Sequence, residues 1–180
     1  VVPKGGYHIT RMLEQQGMTF ATAEVLKKQF GCASPDLIEK NVRLRLPANP
    51  EIGGEIVISS KELAESIELK LQEILEPLLN ELHRMEQRIS TLYITGGGSM
   101  LQGIADYIQQ KTQLRVQYGA HNLLLKGDTD EKYLSPQYAA LVGTILLGQD
   151  YRDNHKNQLV RKPSFFERVK ENTLDMFIDQ

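Results

Sequence analysis

The segment Thr91-Leu92-Tyr93-Ile94-Thr95 is apolar and β-prone, and it runs directly into Gly96-Gly97-Gly98-Ser99. Met100, Leu101, Ile104 and Ile108 then recur at helical spacing as far as Lys111, and residues 114–118 read as a further strand. Strand, glycine turn, helix, strand is a crossover unit, and such a unit lays its two strands parallel in one sheet. This places the chain in the α/β class.

The remaining elements are arranged around that unit. An opening Val1-Val2 pair reads as a strand ended by Gly5-Gly6, and Ile9, Met12 and Leu13 mark a short helix over 8–16. Phe20, Ala23, Val25, Leu26 and Phe30 predict a second helix over 21–30, stopped by Gly31 in the usual C-terminal position. Residues 41–46 alternate apolar and basic side chains, and 55–58 form a second short strand after Asn49, Pro50, Gly53 and Gly54, which predicts a hairpin. Ser59 and Glu62 form a capping box that starts a long helix. Its apolar stripe is Leu63, Ile67, Leu71, Ile74, Leu78, Leu82 and Met85, with a kink expected at Pro77. Pro136 precedes an apolar helix over 138–147. Residues 149–163 are polar and without periodicity, which reads as a tether. Beyond them Phe165, Phe166, Val169, Met176 and Phe177 fall on one face of a terminal amphipathic helix, 164–180.

Several functions are excluded by composition. Lys and Arg number 21 against 23 Asp and Glu, so no net basic field is available to hold a nucleic acid. The single cysteine, Cys32, forms no internal disulfide and reads as a small packed residue. No apolar run is long enough to span a bilayer.

Chemistry is carried by two places. Three consecutive glycines let backbone approach whatever lies above the turn, because no Cβ intervenes. Gly96, Gly97, Gly98 and Ser99 match neither the phosphate-loop nor the dinucleotide spacing, and a tight turn without a ligand explains them equally well. On the second helix Glu24 and Lys28 are four apart and Lys27 is three from Glu24, so acid and amine can reach one ligand. A carboxylate accepts from ribose hydroxyls, and a lysine stem can lie along a purine face. A plain Glu–Lys pair on a solvated helix is the other reading.

The ordered blocks Pro3-Lys4-Gly5-Gly6-Tyr7-His8-Ile9-Thr10, Ala23-Glu24-Val25-Leu26-Lys27-Lys28-Gln29-Phe30-Gly31, Leu92-Tyr93-Ile94-Thr95-Gly96-Gly97-Gly98-Ser99 and Pro136-Gln137-Tyr138-Ala139-Ala140-Leu141-Val142-Gly143 resemble the FtsA family of the actin-like ATPase superfamily. That resemblance covers residues 1–148 and corresponds to the C-terminal half of such a protein. It implies an actin-like, ribonuclease H-like half: a mixed sheet flanked by helices, a small inserted α+β lobe, and a C-terminal linker with an amphipathic helix. The nucleotide-facing subdomain would be 1–31 with 91–148, and the inserted lobe 32–90. By the same resemblance Glu24 and Lys27 meet the ribose, Lys28 lines the adenine, and Gly96 to Ser99 approach the adenosine and α-phosphate of ATP. Mg and the phosphate-gripping residues would belong to the other half of the protein, so a chain like this is expected not to hydrolyse ATP.

The family resemblance further implies a cell-division adaptor that self-associates into filaments at the cytoplasmic face of the membrane. Lys70 and Glu73 would contact the C-terminal tail of FtsZ, against the simpler reading of a solvated helix face. Phe165, Phe166, Val169, Met176 and Phe177 would enter the membrane interface, although Arg161, Lys162, Arg168 and Lys170 are balanced by Glu167, Glu171, Asp175 and Asp179, so that binding must come from apolar area. A helix docked on protein is the alternative. Rival readings at the level of the whole protein are an Hsp70-like or sugar-kinase-like ATPase, and an actin-like component of a pilus or secretion platform.

Overall fold

A computed structural model describes the backbone of residues 3–85, 89–119 and 130–159, with side chains described as far as 153. The expected strand at Val1-Val2 and the terminal helix lie outside the described residues. The elements are α1 (Gly6–Glu14), α2 (Phe20–Phe30), β1 (Arg43–Pro47), β2 (Glu55–Ser59), α3 (Ser60–Arg84), β3 (Thr91–Ile94), α4 (Ile104–Thr112), β4 (Arg115–Tyr118) and α5 (Ala139–Leu159). The chain divides into two compact units, Val1–Ala139 and Ala140–Gln180.

The helices begin where local chemistry satisfies their free amides. Thr19 caps α2 by accepting from the Thr22 amide at 3.2 Å. At α3 the capping box forms as the sequence requires: Ser59 Oγ accepts from the Glu62 amide and Glu62 Oε2 from the Ser59 amide. In the first unit one core joins Ile9 and Leu13 of α1, Leu26 of α2, Leu63, Ile67 and Leu71 of α3, and Ile104, Tyr107 and Ile108 of α4. Within residues 32–90, Ile58, Leu63, Ile67 and Leu71 are part of this core.

The crossover unit is present. β3 and β4 pair in parallel, with Thr91 opposite Arg115 and Ile94 opposite Tyr118. A single mixed sheet is not what the described residues form. They make two sheets of two strands each, the parallel β3–β4 pair and the antiparallel β1–β2 hairpin, whose Leu44, Leu46, Ile56 and Ile58 pack on the helical core. In β3, Tyr93 is exposed.

One further expectation stands for a different reason, and two need correction. Gly31 ends α2, but its φ of −70° is open to any residue. It is glycine because a Cβ there would stand 2.3 Å from the Lys27 carbonyl oxygen and 3.0 Å from Ile67 Cδ1. The α3 stripe is buried only through Leu71, while Leu78 and Met85 are exposed. Finally, α5 continues to Leu159, through residues 149–159 of the supposed tether. Missing periodicity there does not signal the lack of a helix: between Gln149 and Leu159 no Gly or Pro intervenes, and Gln, Arg and Lys are good helix formers.

Candidate functional site

One cleft of about 1030 Å³ lies between the N-terminal part of α1, α2, α3 and the turn after β3. Glu24, Lys27, Lys28, Gly97, Gly98 and Ser99 all line it, so the charged face of α2 and the glycine turn, far apart in sequence, come together. Gly96 is not on the wall. Its φ of +82° makes the bend itself, and its carbonyl accepts from the Ser99 hydroxyl at 2.8 Å. The turn is pinned from outside by Pro136, whose carbonyl oxygen accepts from the Gly96 amide at 2.9 Å and the Thr95 hydroxyl at 3.2 Å. A Cβ added at Gly97 or Gly98 would meet no atom within 4 Å, so both glycines present bare backbone to the open cleft.

On the opposite wall Glu24 is held by three donors. Oε2 accepts from Thr10 Oγ at 2.5 Å and Lys27 Nζ at 2.7 Å, and Oε1 pairs with Lys28 Nζ at 3.2 Å. Burial on its own would raise the Glu24 carboxyl. Hydrogen bonds from Lys27, Thr10 and Lys28, with the Lys27 charge, outweigh it and bring the value from 4.5 down to about 2. Glu24 is therefore an anion with free acceptor capacity on Oε1.

The two lysines differ in what they can do. Lys27 Nζ donates to Glu24 Oε2 (2.7 Å), Thr10 Oγ (2.7 Å) and the Gly6 carbonyl (3.1 Å), which uses all three ammonium hydrogens. Its side chain is 14% exposed, against 70% for Lys28. Lys27 thus ties α2 to α1 and holds Glu24, whereas Lys28 is free to move onto a ligand. Thr10 was overlooked in the sequence, and the signal that finds it is a polar residue on the otherwise apolar buried stripe Ile9, Thr10 and Leu13.

Lys70 and Glu73 lie on α3 and engage each other, with Lys70 Nζ at 2.9 and 2.8 Å from the two Glu73 oxygens and Lys4 Nζ at 3.8 Å from Glu73. The Lys70 hydrogen bond is the main cause holding the Glu73 carboxyl below its ordinary value, with the nearby Lys70 and Lys4 charges adding to it. Neither residue lines the cleft. Phe165, Phe166, Val169, Met176 and Phe177 lie outside the described residues. Among the described residues no group of His, Cys, Asp and Glu could hold a metal ion, and no helix is long and apolar enough to cross a membrane.

Solved structures place this architecture in a class. MreB5 of Spiroplasma citri bound to ADP superposes with a TM-score of 0.62 over 84% of this chain and 46% of that one, at 17% identity. The same organism's MreB 5 bound to AMPPNP gives 0.56 over 85% and 46%, at 13% identity. The fold is therefore actin-like. The chain belongs to the FtsA family: the profile described as "Cell division protein FtsA" matches residues 1–143. Cell division protein FtsA of Neisseria meningitidis serogroup B is 29% identical over 150 residues, 81% of this chain and 36% of that protein. The Escherichia coli K12 protein of the same description is 24% identical over 175 residues, 90% of this chain and 40% of its own length. The chain thus spans well under half the length of these relatives.

Proposed function

We propose that this chain supplies the nucleoside-holding side of a nucleotide cleft in a cell-division adaptor of the actin-like type. The observation that carries this reading is the shared cleft of Glu24 and the Gly97–Ser99 backbone. In it, Glu24 Oε1 accepts from a ribose hydroxyl, the Lys28 stem lies along the base, and the bare backbone at Gly97 and Gly98 lets the sugar and first phosphate approach. Lys27 acts one step back, holding the carboxylate in place. ADP and AMPPNP, bound by the structural neighbours, have this chemistry. The cleft is also lined by Leu71, Ile74, Leu75 and Ile108, so the nucleoside occupies its polar corner only.

In this reading the chain binds and does not turn over ATP, since the phosphate-gripping and metal-organising residues that phosphoryl transfer needs would come from the other half of the protein. The whole protein would bind ATP with Mg, associate with itself, receive the acidic and apolar tail of FtsZ near Lys70 and Glu73, and hold that filament at the cytoplasmic face of the membrane through residues 164–180. The family assignment is what supports this wider role. Calorimetric titration of the chain with adenosine and ADP tests the core of the reading: saturable binding lost in Glu24→Gln supports it, and no binding, or binding indifferent to that substitution, refutes it. For the tail, Lys70→Glu must weaken binding of an FtsZ C-terminal peptide. For the membrane, removing residues 164–180 must abolish pelleting with vesicles.

A further inference from the structure

Thr10 has no exposed surface and lies behind Glu24, which lines the cleft. Its Oγ stands 2.5 Å from Glu24 Oε2, 2.7 Å from Lys27 Nζ and 3.2 Å from the Gly6 carbonyl oxygen. A hydroxyl carries one hydrogen and two acceptor sites, and an ammonium can only donate. Lys27 therefore fills the acceptor side of Thr10. The single O–H is left to choose between a neutral carbonyl and a nearer carboxylate, and the charged acceptor is the stronger one.

The consequence is an asymmetry between the two oxygens of Glu24. Oε2 is occupied from within by two groups that cannot withdraw, a buried hydroxyl on α1 and a lysine whose hydrogens are all engaged. Oε1 meets only Lys28, a side chain 70% exposed that can swing away at little cost. Without the Thr10 hydroxyl the carboxylate could rotate about its last torsion, which is broad and roughly two-fold, and the distinction between the oxygens would be lost.

We propose that Thr10 is a positioning residue: its hydroxyl locks one oxygen of Glu24 inward so that the other is presented to a sugar hydroxyl of a nucleoside in the cleft. This inference rests on the nucleoside reading given above. Thr10 touches no ligand, and its effect is confined to ligands that carry the hydroxyl Glu24 would accept from.

The test compares adenosine with 2′,3′-dideoxyadenosine, which keeps the base and lacks both vicinal hydroxyls, in calorimetric titrations of the wild-type chain, Thr10→Val, Thr10→Ser and Glu24→Gln. Thr10→Val keeps shape and removes the hydroxyl; Thr10→Ser keeps the hydroxyl. The expected result is about a tenfold loss of adenosine affinity in Thr10→Val, the worth of one hydrogen bond to a charged group, with dideoxyadenosine affinity changed less than about twofold. Thr10→Ser restores the preference for adenosine. Thr10→Ala reads the same preference should the valine variant fail to fold. Equal losses for both ligands in Thr10→Val would show an interhelix strut and overturn the proposal. Unchanged adenosine affinity in Thr10→Val beside a loss in Glu24→Gln would overturn it while leaving the nucleoside reading intact. A wild-type chain that does not prefer adenosine to its dideoxy analogue would remove both.

Discussion

Lys27 Nζ lies 3.1 Å from the carbonyl oxygen of Gly6, across the gap between α2 and α1. Gly6 sits in the first turn of α1, so the charged face of α2 is fixed to the backbone of its neighbour and not to mobile surface side chains. The first consequence concerns stability. Lys27→Met leaves the partly buried Glu24 carboxylate without its main partner, which should cost about 1–3 kcal/mol, read as a shift of the urea midpoint at constant slope. Glu24→Gln alone should cost less than Lys27→Met, and the double variant should recover part of the loss; strict additivity would show that the pair does not interact.

The carboxylate also predicts a pH dependence. Glu24 titrates at about 2 in the folded chain against an ordinary 4.5, so the native state binds this proton less readily than the unfolded one. Its contribution is therefore complete above the ordinary carboxylate range and disappears as pH falls from about 5 toward 2. Acid titration of the urea midpoint should show a steeper fall over that window in the wild type than in Glu24→Gln. Parallel curves would contradict it.

Two glycines should respond in opposite ways to the same substitution. At Gly31 a Cβ would stand 2.3 Å from the Lys27 carbonyl oxygen, so Gly31→Ala must displace backbone and should destabilise the chain by about 1–3 kcal/mol. At Gly97 nothing lies within 4 Å of the added carbon. Gly97→Ala should leave the unfolding midpoint within about 0.5 kcal/mol of the wild type and yet weaken adenosine binding, because the methyl group enters the space the ligand needs.

The cap of α3 gives a prediction independent of the cleft. Hydrogen bonds from the Ser59 backbone and side chain hold the Glu62 carboxyl below its ordinary value. Ser59→Ala should cost about 1 kcal/mol of stability and leave nucleoside binding untouched. An effect on binding would mean that α3 moves the cleft wall.

How far the sequence could be read depended on the range of the interactions involved. The crossover unit, the capping box and the hairpin are written in residues a few positions apart, and each is found in the structure. The packing of the hairpin was not legible, because a period-two pattern says that one side is buried without saying against what; Leu44 and Ile58 meet helices. The end of α5 was not legible because polar residues without periodicity are compatible with a helix as well as with a tether. At the cleft, Glu24, Lys27 and Lys28 announce themselves by spacing on one helix. Thr10 shows only as a polar residue on a buried stripe, and its partners, 14 and 17 residues away, cannot be read from its own helix. The different fates of the two lysines, one spent on structure and one free, follow from the position of α1 and could not be seen in the helix alone.

The most direct measurement is an amide-resonance NMR titration of the chain with adenosine. If one nucleoside lies between the charged face of α2 and the glycine turn, the amides of Glu24 to Lys28 and those of Gly97 to Ser99 shift together along one saturation curve, and both sets of shifts vanish in Glu24→Gln. Shifts confined to one of the two segments, or two curves with different midpoints, would mean that the walls do not share a ligand.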